Sequence, residues 1–390
     1  MYKVRTYNQI ALRGLERFMR GTFEVGSEVP DPHAILLRSH LLTENDLGPS
    51  LRAVARAGAG VNNVPVDVFT RHGVVVFNTP GANANSVKEL VLAALLLSAR
   101  DVVGGLRFVE TLTGVSTHAE LNRLVEAEKK RFKGNELYGK TLGVVGLGAI
   151  GSLVAEAALD LGMQVLGYDP AISVEAAWRL PSDVARMENL HTLFSKSDYV
   201  TLHVPLLEGT RHLVNEETLK SFRIGAVLLN FAREEIVDEI ALAHALDAGK
   251  LARYFCDFPT PALAAVRNVR CTPHLGASTD EAEENCAVMA ADQLVDFLKN
   301  GNIKNAVNFP AVTLERSEGH RIAVTNRNVP GMLGQVTSVL ADRAINVIDM
   351  INKSRGDVAY NLIDIAAAPP AELLREIARI DSVINVRVFE

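Results

Sequence analysis

The chain has 390 residues, room for two or three domains at the usual ~100–200 residues each, and its 48% hydrophobic and 22% charged content is that of an ordinary globular protein. A net charge of −6 argues against a broad nucleic-acid surface, and the longest apolar run, Leu90 to Leu97, falls far short of the ~20 residues that cross a bilayer. Cys256, Cys271 and Cys286 lack metal-ligand spacing and the N-terminus lacks an apolar signal segment, so the expectation is a cytoplasmic protein with reduced thiols, no metal and no membrane partner.

Residues 1 to about 85 read as a small α/β unit. Ala34 to Leu37 and Val74 to Phe77 are apolar runs of the buried-strand type, while Leu12 to Met19 and Val66 to His72 have helical spacing. RAGAGVNN (Arg56 to Asn63) is a glycine-bearing turn whose backbone N–H groups at Gly58, Ala59 and Gly60 suit an anion. NTPGANANSVKE (Asn78 to Glu89) is a polar loop running into a helix for which Asn85 or Ser86 is the expected cap. Residues 90 to 135 predict amphipathic helices ending in the charged run EAEKKRFKG.

Thr141 to Tyr168, TLGVVGLGAIGSLVAEAALDLGMQVLGY, carries the most specific signal. A buried-strand run, three glycines at G-x-G-x-x-G spacing, a helix, a second apolar run and Asp169 follow in order. Gly146 permits the tight turn, Gly148 lets backbone approach a pyrophosphate, and Gly151 lets helix and strand pack closely. The helix N-terminus offers N–H groups to the phosphates. Asp169 suits the ribose hydroxyls of NAD, and no Arg or Lys follows for several residues to meet the 2′-phosphate of NADP.

Later strand candidates are Tyr199 to Val204, Val227 to Phe231, Arg253 to Phe258 and Val269 to Thr272. Six strands alternating with helices predict a doubly wound parallel sheet, whose carboxyl edge binds ligands. That edge carries Asp169, His203 to Pro205, Phe231 to Arg233, Asp257 and His274. Arg233 directly follows a buried strand, where a guanidinium is a two-pronged donor for a carboxylate. His274 suits proton transfer near neutral pH. A long helix from about Thr279 to Lys299 then leads to NAVNFP (Asn305 to Pro310), read as a return to the first unit. Residues 318 to 390 follow the βαββαβ order of a ferredoxin-like fold.

Together these motifs resemble one family. GLGAIG with Asp169, HVP at 203–205, NFAREEIVDE at 230–239 and TPHLGAST at 272–279 look like the D-isomer-specific 2-hydroxyacid dehydrogenases. RSHLLTEND (38–46), RAGAGVNN and NTPGANANSVKE are similar to the substrate domain of the branch that oxidises 3-phosphoglycerate, and the C-terminal segment is similar to the ACT regulatory domain. The likeness implies a Rossmann-type NAD domain at 88–277 inserted in a smaller flavodoxin-like substrate domain (1–87 and 278–312). A ferredoxin-like ACT domain follows at 318–390.

By the same resemblance, NAD would be lined by Gly146, Gly148, Ala149, Ile150, Gly151, Asp169, His203, Pro205, Phe231, Ala232, Leu275, Gly276 and Ala277. Asp257 would meet the nicotinamide amide. Arg233 would bind the substrate carboxylate and His274 would move the hydroxyl proton. Arg38, Arg56, Gly58, Ala59, Gly60 and Asn83 would hold 3-phosphoglycerate. Asn326, Asn328 and Asn346 would take an L-serine effector between paired domains of a homo-oligomer, a dimer or tetramer.

One slot departs from the family. Relatives place a glutamate beside the histidine, in a run like F-P-x-Glu, but CDFPTPALAAV puts Pro261 there. A carboxylate beside imidazole raises its pKa, so His274 is expected to be a weaker base unless Asp257, Glu234, Glu235, Glu281 or Glu284 substitutes. Two other readings use the same residues. One is a reductase of a smaller 2-keto acid such as glyoxylate or hydroxypyruvate. The other is an NAD-sensing regulatory protein with weak turnover.

Overall fold

Five short parallel strands open the chain: β1 (Tyr2–Thr6), β2 (Phe23–Gly26), β3 (Ala34–Leu37), β4 (Ala53–Arg56) and β5 (Val75–Phe77), in the order β2-β1-β3-β4-β5 of a flavodoxin-like sheet. The computed structural model describes residues 1–266 and 268–389. It divides into two units, Met1–Asn83 with Asp280–Glu390, and Ala84–Thr279.

In the first unit the strand residues alternate between two cores. Ala34, Leu36, Ala55, Val75 and Phe77 pack with the helix Asp280–Asn300, and Ile35, Leu37, Val54 and Val76 pack with Phe69 of the helix Val66–Arg71. Burial on both faces is why β3 and β5 read as continuous apolar runs. β1 and β2 did not, because charged residues interrupt them, and β4 did not, because Arg52 and Arg56 confine its apolar run to three residues. The helix expected from Leu12 to Met19 is a single turn, Leu12–Leu15. Its Gly14 lies against Ala287, so close that a Cβ there would meet the Ala287 backbone. The NAVNFP segment does return to this unit, as Val307 N–H donates to the Val76 carbonyl (2.9 Å) and the Asn308 amide bonds Val76 and Val74.

The second unit holds β6 (Thr141–Val145), β7 (Gln164–Tyr168), β8 (Val184–Arg186), β9 (Tyr199–Leu202), β10 (Ala226–Asn230), β11 (Leu251–Cys256) and β12 (Val269–Cys271). They form one parallel sheet in the order β12-β11-β10-β9-β6-β7-β8, the doubly wound Rossmann arrangement with one strand added. Where the sequence predicted six strands there are seven among the described residues, because β8 is short and largely exposed and so leaves no apolar run.

Four antiparallel strands end the chain: β13 (His320–Arg327), β14 (Val347–Arg355), β15 (Val358–Ile365) and β16 (Val383–Phe389), ordered β14-β15-β13-β16 with two helices, in the ferredoxin-like pattern. Ile322, Val324, Ile363 and Ile365 pack beneath the helices. The opposite face supplies Ala323, Tyr360, Leu362 and Phe389 to the core that contains Phe297 and Phe309 of the first unit. Arg321 pairs with Asp364 at 2.6 Å, both fully buried, and also donates to the carbonyls of Asn300, Leu314 and Glu315. Among the described residues no helix is long and apolar enough to cross a membrane.

Candidate active site

Six strands of the Rossmann sheet end in register. Tyr168, Val145, Leu202, Asn230, Cys256 and Cys271 form one row across the ladder. The residues immediately beyond are Asp169, Gly146, His203, Phe231, Asp257 and Thr272, so the expected site residues of this unit leave the sheet along one edge. Arg233 and His274 each stand three positions past that row, after β10 and β12. Two strand spacings put those launch points about 10 Å apart.

At the glycine turn, Gly146 takes a left-handed φ of +89°. A Cβ on Gly151 would run into the Gly146 carbonyl, whereas one on Gly148 would meet nothing within 4 Å. Gly148 also caps the helix Ala149–Asp160 with no side chain to occupy the first amides. Asp169 accepts from Leu147 N–H and Ala171 N–H, both at 2.9 Å, and so holds its carboxylate at the turn. His203 bonds Thr201 at 2.9 Å, and burial pushes its pKa down to about 3, so the ring is neutral. Its Nδ1 is buried with no partner among the described residues.

Phe231 and Ala232 are buried, and Asn230 fixes this turn by accepting from Ala232 N–H (3.1 Å) and donating to the Arg233 carbonyl (2.8 Å). The exposed Arg233 guanidinium bonds the Ala232 carbonyl at 2.6 Å. Asn230 was not among the expected site residues. It belongs to an apolar run and gave no separate signal.

Asp257 is 2% exposed. Its carboxylate accepts from Thr272 Oγ1 (2.6 Å) and from the amides of Leu275 and Gly276 (both 2.7 Å), while its carbonyl accepts from His274 N–H at 3.1 Å. The loop that carries His274 thus bonds both oxygens of the carboxylate expected to meet a nicotinamide amide, two donors on Oδ1 and one on Oδ2. That wrapping holds His274 at φ +57°, a left-handed conformation a histidine adopts at a cost, with its ring exposed and edge-on to Phe258 at 5.2 Å. Ala277, at the end of the same loop, is half-buried.

Among the described residues no carboxylate forms an ion pair with His274. Glu284 is taken by Arg13 at 2.9 Å and Glu235 lies 4.0 Å from Arg211. Pro261 opens a short helix, Pro261–Ala264, capped by Thr260. Proline suits that first position, where the missing N–H has no helical partner.

In the first unit Arg56 ends β4, donates to the Arg38 carbonyl (3.0 Å) and to the Gly60 carbonyl (2.6 Å), and so tightens the Gly58–Gly60 turn. A Cβ on Gly58 would meet the Arg56 guanidinium at 2.8 Å and displace it from the turn. Asn78 secures Ala59 by donating to its carbonyl at 2.6 Å. Arg38 pairs with Glu283 at 2.7 Å, a half-exposed contact between distant segments that no local pattern announces. The helix after this loop begins at Ala84, directly after Asn83, so Asn85 and Ser86 lie inside it and neither caps it. Asn85 instead bonds Glu89 and Lys88.

Of the three asparagines in the C-terminal module, Asn326 is buried, donating to the Arg327 carbonyl and accepting from Asn361. Asn328 is exposed and bonds the Gly356 carbonyl at 3.1 Å. Asn346 precedes β14, whose Val347 pairs with Ile365, whereas Arg327 pairs with Val358. Asn328 and Asn346 therefore lie at opposite ends of the sheet, about 23 Å apart along an eight-residue strand.

Open space over Gly148, an uncapped helix N-terminus and a carboxylate held after β7 fit a dinucleotide, and NAD is the cofactor they suit. Residues 108–276 match the D-isomer specific 2-hydroxyacid dehydrogenase, NAD binding domain, family. The chain is 33% identical over 351 residues to a D-3-phosphoglycerate dehydrogenase of Methanocaldococcus jannaschii, which covers 88% of this chain and 63% of that protein. It is 35% identical to the D-3-phosphoglycerate dehydrogenase of Haemophilus influenzae, over 94% of this chain and 88% of the relative. Among solved structures it is similar to an NAD+-bound 3-phosphoglycerate dehydrogenase of Entamoeba histolytica, with a TM-score of 0.61 and 26% identity over 78% of this chain and 98% of that one. The chain belongs to the D-isomer specific 2-hydroxyacid dehydrogenase family.

Proposed function

We propose that the protein oxidises the C2 hydroxyl of 3-phospho-D-glycerate to the ketone, giving 3-phosphohydroxypyruvate, the opening reaction of L-serine synthesis. The observation that carries this reading is the single sheet edge from which Arg233 and His274 project at equal offsets, beside a glycine turn built for NAD. The names of the relatives supply the substrate.

When bound, NAD supplies the hydride acceptor. Gly146, Gly148 to Gly151, Asp169, His203, Pro205, Phe231, Ala232, Asp257 and the 275–277 loop would hold it. Arg233 takes the substrate carboxylate with two parallel N–H bonds and places positive charge near the C2 oxygen. His274 removes the hydroxyl proton as hydrogen leaves C2 with its electron pair. Asp257 acts through His274 by fixing the loop around it. Arg56 and Arg38, with the Gly58–Gly60 amides and Asn83, are assigned to the phosphate.

An effector touching both Asn328 and Asn346 has to be held between two copies of the chain, because one copy separates them by the length of a strand. L-serine is that proposed effector. A homo-oligomer is further supported by the helix Val102–Glu110, which exposes Val102, Leu106 and Val109 at helical spacing. The protein is assigned to the cytoplasm with the pathway. A second reading, a reductase of a smaller unphosphorylated 2-keto acid, draws support from the Arg38–Glu283 pair, which already neutralises one phosphate-binding cation.

The test is steady-state NADH formation with 3-phosphoglycerate, glycerate, lactate and glycolate. The proposal requires 3-phosphoglycerate to have the highest kcat/KM. A preference for an unphosphorylated acid supports the second reading instead.

A further inference from the structure

We propose that Cys256 and Cys271 form a thiol pair that a low-molecular-weight disulfide, such as oxidised glutathione, converts to an intramolecular disulfide that switches the enzyme off. From sequence the two read as reduced thiols without metal-ligand spacing. The fold instead makes them cross-strand partners, the last residues of β11 and β12, with their Sγ atoms 3.2 Å apart. Neighbouring strands lie about 4.8 Å apart, within the Cα separation a disulfide tolerates, and the bond itself needs about 2.05 Å between sulfurs. Closing that gap takes a local shift of the strand ends, not a refolding.

The surroundings give the two sulfurs different tasks. Cys271 is half-exposed on an edge strand, whereas Cys256 is 1% exposed. The hydrogen bond from Cys256 holds the Cys271 thiol below its ordinary pKa, against burial and the nearby Glu239, which act the other way. The hydrogen bond to Cys271 and burial push Cys256 up. Cys271 is therefore the attacking thiol and Cys256 the resolving one. In the first step Cys271 gives its proton to solvent, its thiolate bonds one sulfur of oxidised glutathione, and one glutathione thiolate leaves. In the second, Cys256 loses its proton and attacks the Cys271 sulfur, and the second glutathione leaves. Two electrons pass from the cysteine pair to glutathione, and the two leaving thiolates recover the two protons.

Coupling to the site follows from position. Asp257 is the next residue after Cys256, and Thr272, which bonds the Asp257 carboxylate at 2.6 Å, is the next after Cys271. The Tyr254 hydroxyl, beside Cys256, accepts from Asn230 at 3.3 Å, and Asn230 holds the Arg233 carbonyl at 2.8 Å. A shift of either sulfur is thus transmitted to the supports of both His274 and Arg233. A displacement of about 1 Å at reacting groups costs up to ~10²-fold in rate, so a loss of about tenfold or more in kcat is expected.

The full chain is incubated without oxygen at graded ratios of oxidised to reduced glutathione, alkylated and mapped by mass spectrometry, and assayed in parallel. The expected result is a peptide pair joining Cys256 to Cys271, a fall in kcat that tracks its formation, and recovery with dithiothreitol. Cys271→Ser and Cys256→Ala resist inactivation, while Cys286→Ser responds like the parent chain. The proposal is overturned if both thiols remain alkylatable, if glutathione stays on Cys271 with no bond to Cys256, or if the bond forms with kcat unchanged. The assay arm rests on the proposed reaction but the mapping arm does not, so failure of one reading is distinguishable from failure of the other.

Discussion

Asp257 positions His274 through the backbone and not through an ion pair: its carbonyl accepts the His274 N–H at 3.1 Å, and its carboxylate grips the two amides that follow the histidine. Asp257→Asn keeps one acceptor and turns a donor toward an N–H group. We predict a loss of about 10²-fold in kcat, with a stability cost of about 1–3 kcal/mol for the unsatisfied amide. Steady-state rates together with a thermal melt check this; an unchanged kcat would remove Asp257 from the mechanism.

Pro261→Glu places a carboxylate where the resemblance puts the family's glutamate. A carboxylate beside imidazole favours the protonated ring, so the acid limb of the oxidation profile should move to higher pH in the variant. Thr260 still caps the helix, and an acid in the first turn suits the helix dipole, so folding should be spared. A pH–rate profile that does not move means that residue 261 is not the family slot.

The glycine turn separates binding from folding. Gly148→Val fills the open space over the helix N-terminus, so KM for NAD should rise at least about tenfold while the melting temperature stays close to the parent value. Gly151→Ala drives a methyl into the Gly146 carbonyl and should cost a few kcal/mol, about the range of core overpacking. Cofactor titration and calorimetry on both variants make the comparison; equal melting losses would contradict it.

Arg56→Ala should raise KM for 3-phosphoglycerate about 10–100-fold, the worth of a charge-assisted bond, with little change in KM for NAD. If KM for both ligands rises equally, Arg56 is holding its turn rather than the phosphate.

In the C-terminal module, burial alone would raise the Asp364 pKa, but hydrogen bonds from Arg321 and Ser317 outweigh it and hold the carboxyl below its ordinary value. A depressed folded-state pKa contributes stability above the unfolded value of ~3.9 that is lost as pH falls through the folded one. Asp364→Asn should therefore destabilise by about 3–5 kcal/mol at neutral pH, by leaving Arg321 buried without its counter-ion. The gap to the parent should narrow in acid. Denaturant unfolding at pH 7 and below pH 4 measures it.

The sequence was most legible where burial was two-sided. β3, β5, β6 and β10 are nearly pure apolar runs, and in a parallel sheet the residues after such a run emerge at the carboxyl edge, which is how Arg233 stood out. His274 follows the three-residue β12, where Arg270 interrupts the run, and stood out by residue type and motif instead. Strands with one wet face or polar interruptions, β1, β2 and β8, gave no such run. Long-range pairings were invisible for a different reason. Arg38 with Glu283, Asp257 with the Leu275 amide, and Cys256 with Cys271 are set by topology and register, which no local window contains.

The most direct measurement follows deuterium from C2-labelled 3-phosphoglycerate in the parent and in His274→Asn. The account predicts that the label appears in the reduced NAD, with the variant slowed about 10²–10⁴-fold for want of its proton acceptor and the label still transferred. Deuterium lost to solvent, or a variant that turns over at the parent rate, would contradict it.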